Sequence, residues 1–171
     1  MYACTAILSL FTLFVSAAPR QWAIREVQVQ RFEREDFYRL AQYFTKKPIP
    51  FRHGLCRDDE SRSQGIYAIC FLNNSVRRLP KSAQIRLEFL LSGDERMRQI
   101  DGNFQKPRRN SRELWIGLTD KCWENLMADD ILAWRITIYD NEDTLCTRSS
   151  FLFRAKTQPV ADAISSDASG K

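Results

Sequence analysis

The segment Ser82–Ser92, SAQIRLEFLLS, decides the fold. Ala83, Ile85, Leu87, Phe89 and Leu91 alternate with Gln84, Arg86 and Glu88. A period of two sends alternate side chains to opposite faces, so this is a strand with one buried face and one wet face. Gly93-Asp94 turns the chain after it. Upstream, Gly65–Leu72 (GIYAICFL) is a near-continuous apolar run rich in aromatic and β-branched residues, the pattern of a central strand.

Working outward, the same grammar repeats. Trp22–Phe32 places Val27 and Val29 with Arg25 and Arg31 on one face, and Gln28 and Gln30 on the other. Phe51–Arg57 and Arg96–Phe104 are weaker strand candidates, and Leu114–Leu118 is a short one. Ile131–Tyr139 puts Leu132, Trp134, Ile136 and Ile138 on one face. Asp140–Asp143 (DNED) reads as a hairpin loop, and Thr144–Arg154 returns with Phe151 and Phe153 on one face. Only residues 35–45 change period: Phe37, Leu40, Ala41 and Phe44 form an apolar helical stripe, with acids before it, Lys46 and Lys47 after it, and Pro48 and Pro50 as the stop. About seven or eight short strands joined by short loops predict antiparallel pairing throughout. The expected fold class is therefore all-β: an antiparallel β-sandwich, immunoglobulin- or fibronectin-III-like, with one short inserted helix. The Cys…Trp…Cys spacing of antibody domains is missing from it.

The ends read differently. Residues 1–18 carry no Lys, Arg, Asp or Glu, and Ala6–Val15 is an apolar run followed by Ser16, Ala17 and Ala18. At about ten residues it suits a signal-peptide core and is too short for a membrane span. Cleavage after Ala17 is expected, leaving one domain over 20–154, exported to a periplasmic or extracellular space. No other stretch reaches the length of a transmembrane helix. The last segment, residues 155–171, is small and polar, and the expectation is a disordered tail.

Export makes the cysteines disulfide candidates. Cys56, Cys70, Cys122 and Cys146 would remain after cleavage, with pairing open among three connectivities. Cys70 shares a face with Ile66, Ala68 and Leu72 and is expected in the core. Cys146 shares a face with Thr144 and Arg148 and is expected to point away, which argues against a Cys70–Cys146 bridge. Asn73-Asn74-Ser75 is a glycosylation sequon for a eukaryotic secretory route.

The chemistry is limited. His53 is the one histidine in the chain, which excludes any multi-histidine metal site. His53 and Cys56 form one His-x-x-Cys pair, short of the four ligands of a structural zinc site. A hydrolase or thiol enzyme using His53 and Cys56 is the alternative reading, but it lacks an orienting group and an oxyanion-hole signature. Acidic groups at Asp58-Asp59-Glu60, Asp129-Asp130 and Asp140–Asp143 read as solvated turns ahead of calcium loops. Trp115 and Trp123 are candidates for exposed aromatic residues, and Trp134 is expected in the core.

The basic groups carry the functional expectation. The net charge is +5, from 26 Lys and Arg against 21 Asp and Glu. Lys106, Arg108, Arg109 and Arg112 place four cations in seven residues, and Arg77 and Arg78 form a second group. Arginine forks suit sulfate, phosphate or carboxylate. No catalytic residue, metal or cofactor is assigned. The expected role is a non-catalytic binding module for another protein or an acidic polymer of the envelope or extracellular space. Nucleic acid is disfavoured because no aromatic stacking platform interleaves the cations.

Overall fold

The computed structural model describes residues 21–37 and 52–157. Its strands are β1 (Ile24–Phe32), β2 (Gly54–Arg57), β3 (Gly65–Leu72), β4 (Ala83–Leu91), β5 (Arg98–Asn103), β6 (Glu113–Leu118), β7 (Ile131–Asp140) and β8 (Asp143–Ser149). They form two four-stranded sheets, in the orders β1-β3-β6-β2 and β5-β4-β7-β8. The fold is all-β, with one short helix, α1 (Phe151–Thr157), among the described residues.

Alternation explains how the two sheets meet. β3 turns Ile66, Ala68, Cys70 and Leu72 inward and β6 adds Leu114, Ile116 and Leu118. From the second sheet, β4 contributes Ala83, Ile85, Leu87, Phe89 and Leu91, and β7 contributes Ile136 and Ile138. All belong to one buried cluster. Each large apolar side chain removed from water contributes about 1.5–3 kcal/mol before conformational entropy is counted. The other face of the first sheet is apolar too. Leu55, Tyr67 and Ile69 are buried there among Phe32, Phe37, Phe71 and Trp115. That second covered face is why Gly65–Leu72 reads as continuous rather than alternating. Gly65 opens β3 with φ +154°, and a Cβ there would stand 2.1 Å from the Leu118 carbonyl oxygen, so only glycine lets the strands approach.

Several expectations change. β2 pairs with β6 in parallel, not antiparallel. These two strands are not chain neighbours: β3, β4 and β5 lie between them, which is enough chain to bring β2 alongside in the same direction. The parity assigned to Cys146 is reversed. The β7–β8 register slips between Ile138↔Cys146 and Tyr139↔Thr144, so Leu145 is an extra residue. The slip turns Thr144 outward and sends Cys146 into the core with Cys70. A second slip, Leu90↔Ala133 then Leu91↔Ile131, throws Leu132 out to 43% exposure.

Residues 150–154 do not extend the last strand. Ser150 Oγ accepts from Trp134 N (3.1 Å) and Phe153 N (3.4 Å), and the chain turns into α1. Phe153 then packs with Leu90 and Ala133, while Phe151 is left 78% exposed. Arg34–Phe37 is a 3₁₀ turn, so the part of the expected 35–45 helix that is described takes a tighter form. The rest of that helix, the expected signal segment 1–17 and residues 158–171 lie outside the described residues. Residues 155–157, assigned to a tail by composition, belong to α1.

No disulfide joins Cys56, Cys70, Cys122 or Cys146; all four are free thiols. Cys56, Cys70 and Cys146 are buried, and Cys122 is exposed on a 3₁₀ turn. Burial pushes the Cys56 and Cys146 thiols up to about 11 and raises Cys70 further. No helix among the described residues is long and apolar enough to cross a membrane.

Candidate anion-binding site

Two basic segments far apart in sequence lie side by side at one end of the first sheet. β3 leaves its sheet through Asn73–Ser75 into a 3₁₀ turn at Val76–Arg78. The 106–112 loop enters β6 beside it. Backbone bonds clamp the two: Leu72 N donates to Arg112 O and Val76 N to Ser111 O, both at 2.8 Å. Two of the predicted cations each give one bond to this clamp. Lys106 Nζ donates to Leu79 O (2.5 Å), and Arg77 Nη1 donates to Arg108 O (3.2 Å).

Arg78 and Arg112 are different. Both are exposed. They line one cavity of 260 Å³ together with Asn73, Asn74, Ser75, Asn110 and Ser111. No ion pair among the described residues uses either guanidinium. Ser75 Oγ is buried at this wall with no hydrogen-bond partner. An unmade bond on a buried hydroxyl costs about 1–3 kcal/mol. Arg108 and Arg109 are exposed on the same loop and do not line the cavity.

The asparagines show how the site is held. Asn73 Oδ1 accepts from Ala23 N (3.1 Å) and its Nδ2 donates to Gln21 O (2.8 Å). Asn73 is thus the tie to the segment that precedes β1. A glycan on the sequon would have to share that nitrogen with the Gln21 bond. In the sequence Asn73–Ser75 reads only as a sequon, and no motif singles out Asn110 and Ser111. The available signal was a run of small polar residues abutting each basic group.

His53 borders the same place. Its Nδ1 lies 3.0 Å from Glu113 Oε2 and 3.2 Å from Ser111 Oγ, and its ring stacks on Trp115 at 5.5 Å. A nucleophile–base–acid relay places its two partners on opposite ring nitrogens. Here serine and glutamate share one nitrogen. Cys56 does not join His53: it is 4% exposed in the inner core, and its neutral thiol is favoured by burial. The sequence pair therefore points to two sides of one sheet.

The acidic loops are structural. Asp58 Oδ1 accepts from Asp59 N (2.9 Å), Thr119 N (2.6 Å) and Asp120 N (3.1 Å), and its Oδ2 accepts from Trp123 Nε1 (2.6 Å). Trp123 also meets the Phe89 ring edge-on at 5.4 Å, so it is a half-buried prop. Trp115 is half-buried in the aromatic cluster on the outer face of the first sheet. Asp130 Oδ2 accepts from Met127 N (2.8 Å), and Asp140 bonds Ser82. Comparison with family models, with curated proteins and with solved structures found no match to this chain.

Proposed function

We propose that this protein is a non-catalytic binding module, exported to a periplasmic or extracellular space, that captures anionic groups of an acidic polymer at the Arg78–Arg112 cavity. One observation carries the reading. Two arginines without carboxylate partners among the described residues face a shared cavity beside a buried hydroxyl that has no partner. Guanidinium forks match sulfate, phosphate and carboxylate oxygens, and partial enclosure strengthens such bonds relative to open water. Arg108 and Arg109 then act as an outer rim that draws in polyanion without fixing it, a role that salt screens. The immunoglobulin- or fibronectin-III-like sandwich remains the finer fold proposal. It is supported by the two facing sheets and shared core, while the parallel β2–β6 pair departs from it.

Retention of the full chain on immobilised heparin tests the function. Elution should need salt well above the running buffer. The double variant Arg78→Ala/Arg112→Ala should elute early, and Arg108→Ala/Arg109→Ala should shift elution less. Retention that ignores the first variant would overturn the reading.

A further inference from the structure

The cavity's lining says more than its charge, and the following rests on the anion-site reading above. Three carboxamides and two hydroxyls surround the two guanidiniums, and no apolar, aromatic or acidic side chain among the described residues lines the wall. A carboxamide both donates and accepts, as a sugar hydroxyl does, whereas a guanidinium only donates. The volume, 260 Å³, is also too large for a bare tetrahedral oxyanion. At about 30 Å³ for each water-sized group, the four oxygens of such an ion fill a little under half of it.

We infer that the cavity holds a single sugar residue carrying a sulfate or phosphate ester. The ester oxygens accept from Arg78 and Arg112. The ring hydroxyls exchange bonds with Asn74, Asn110 and Ser111, which line the cavity. No apolar or aromatic side chain among the described lining residues offers a seat to a lipid tail or an aromatic ligand, so a phosphorylated or sulfated glycan unit is the matching chemistry. The site then reads a monomer unit, while the rim arginines only attract the polymer.

Isothermal titration of the full chain with four probes tests this: glucose 6-sulfate, glucose 6-phosphate, inorganic sulfate and inorganic phosphate. At least one ester should bind tenfold or more tightly than its own inorganic ion, and the sulfate and phosphate arms tell the two esters apart. Arg78→Ala/Arg112→Ala should weaken ester and ion together by at least tenfold. Asn74→Ala/Asn110→Ala should bring the ester down toward the affinity of the ion, cutting the ratio between them to threefold or less. Thermal melts of each variant check that it folds. Equal affinity for ester and ion would overturn the sugar inference and leave the anion site standing. Binding of neither, with heparin retention intact, would overturn the sugar inference by placing polyanion contact elsewhere. Loss of heparin retention is read separately and bears on the function itself.

Discussion

The loop cluster around Asp58 and the cavity beside Arg78 sit at opposite ends of β6, on the same core, and they use charge in opposite ways. Asp58 follows β2 and meets Thr119 and Asp120 just beyond the end of β6. Three backbone N–H groups and one indole N–H converge on its carboxylate. Its neighbours are held as well. The Cys122 amide keeps Asp120, and the Ser61 hydroxyl and amide keep Asp59, below the usual carboxylate range. At the other end, Arg78 and Arg112 have no carboxylate partner among the described residues. Within the single loop 106–112 the two differ, since Lys106 gives a bond to the Leu79 carbonyl while Arg112 lines the cavity. Charge whose bonding capacity is used internally is architecture. Charge whose capacity is unused can serve a ligand.

The largest expected effect loosens the core that both ends share. The buried thiols of Cys56 and Cys146 are raised from an ordinary value near 9 to about 11. The folded state keeps their protons more tightly than the unfolded chain. Their contribution is therefore complete below pH 9 and is lost as pH climbs from 9 through 11, at about 1.4 kcal/mol per unit for each thiol at most. Denaturant unfolding under reducing conditions should show stability falling steeply over that interval. A flat profile would mean that the thiols are not buried as described.

Next is the satisfied end. Asp58→Ala should destabilise by about 2 kcal/mol, because several backbone donors and the Trp123 indole lose one shared acceptor. Heparin retention should stay as in the parent chain. A variant that kept its melting temperature would reduce Asp58 to a surface acid and remove one half of the contrast.

The unsatisfied end should behave in reverse. Arg78→Ala/Arg112→Ala should cost at least tenfold in anion affinity, about 1.4 kcal/mol, and leave the melting temperature within the error of exposed-site changes. A large fall in stability would show that these cations are architectural after all.

The smallest effect sharpens the boundary. Ser75→Ala removes a buried hydroxyl with no partner, so stability should hold or rise by up to about 1 kcal/mol. Chemical denaturation can resolve that sign. A loss of more than about 1 kcal/mol would mean that the hydroxyl is already bonded.

Much of this was legible from local pattern. Alternation in Ser82–Ser92 placed the inner face of β4 residue by residue, and the apolar run in Gly65–Leu72 matched a strand covered on both faces. Leu132 and Cys146 were misassigned for one shared reason. Each adjoins a one-residue slip in strand register, and a slip reverses the parity of everything on one side of it. Nothing in Leu145 or Leu132 itself announces a bulge. The strand expected to run to Arg154 ended early because Ser150 found Trp134, 16 positions away, across the sheet. Arg78 and Arg112 were named from sequence within a larger basic set. Ser75, Asn110 and Ser111 were not, since small polar residues in a loop look alike until something charged lies beside them.

The sequence by itself determined which residues prefer extended chain, which face of most strands leaves water, and that two clusters of cations exist. These follow from side-chain sterics and hydrophobicity, which act over a few residues. Only the tertiary structure decided which cations remain available. A lysine or arginine is satisfied by whichever carbonyl or carboxylate folding brings within about 3 Å, and that neighbour is set by strand pairing between distant segments. Lys106 met Leu79 and Arg77 met Arg108, while Arg78 and Arg112 were left facing a common space.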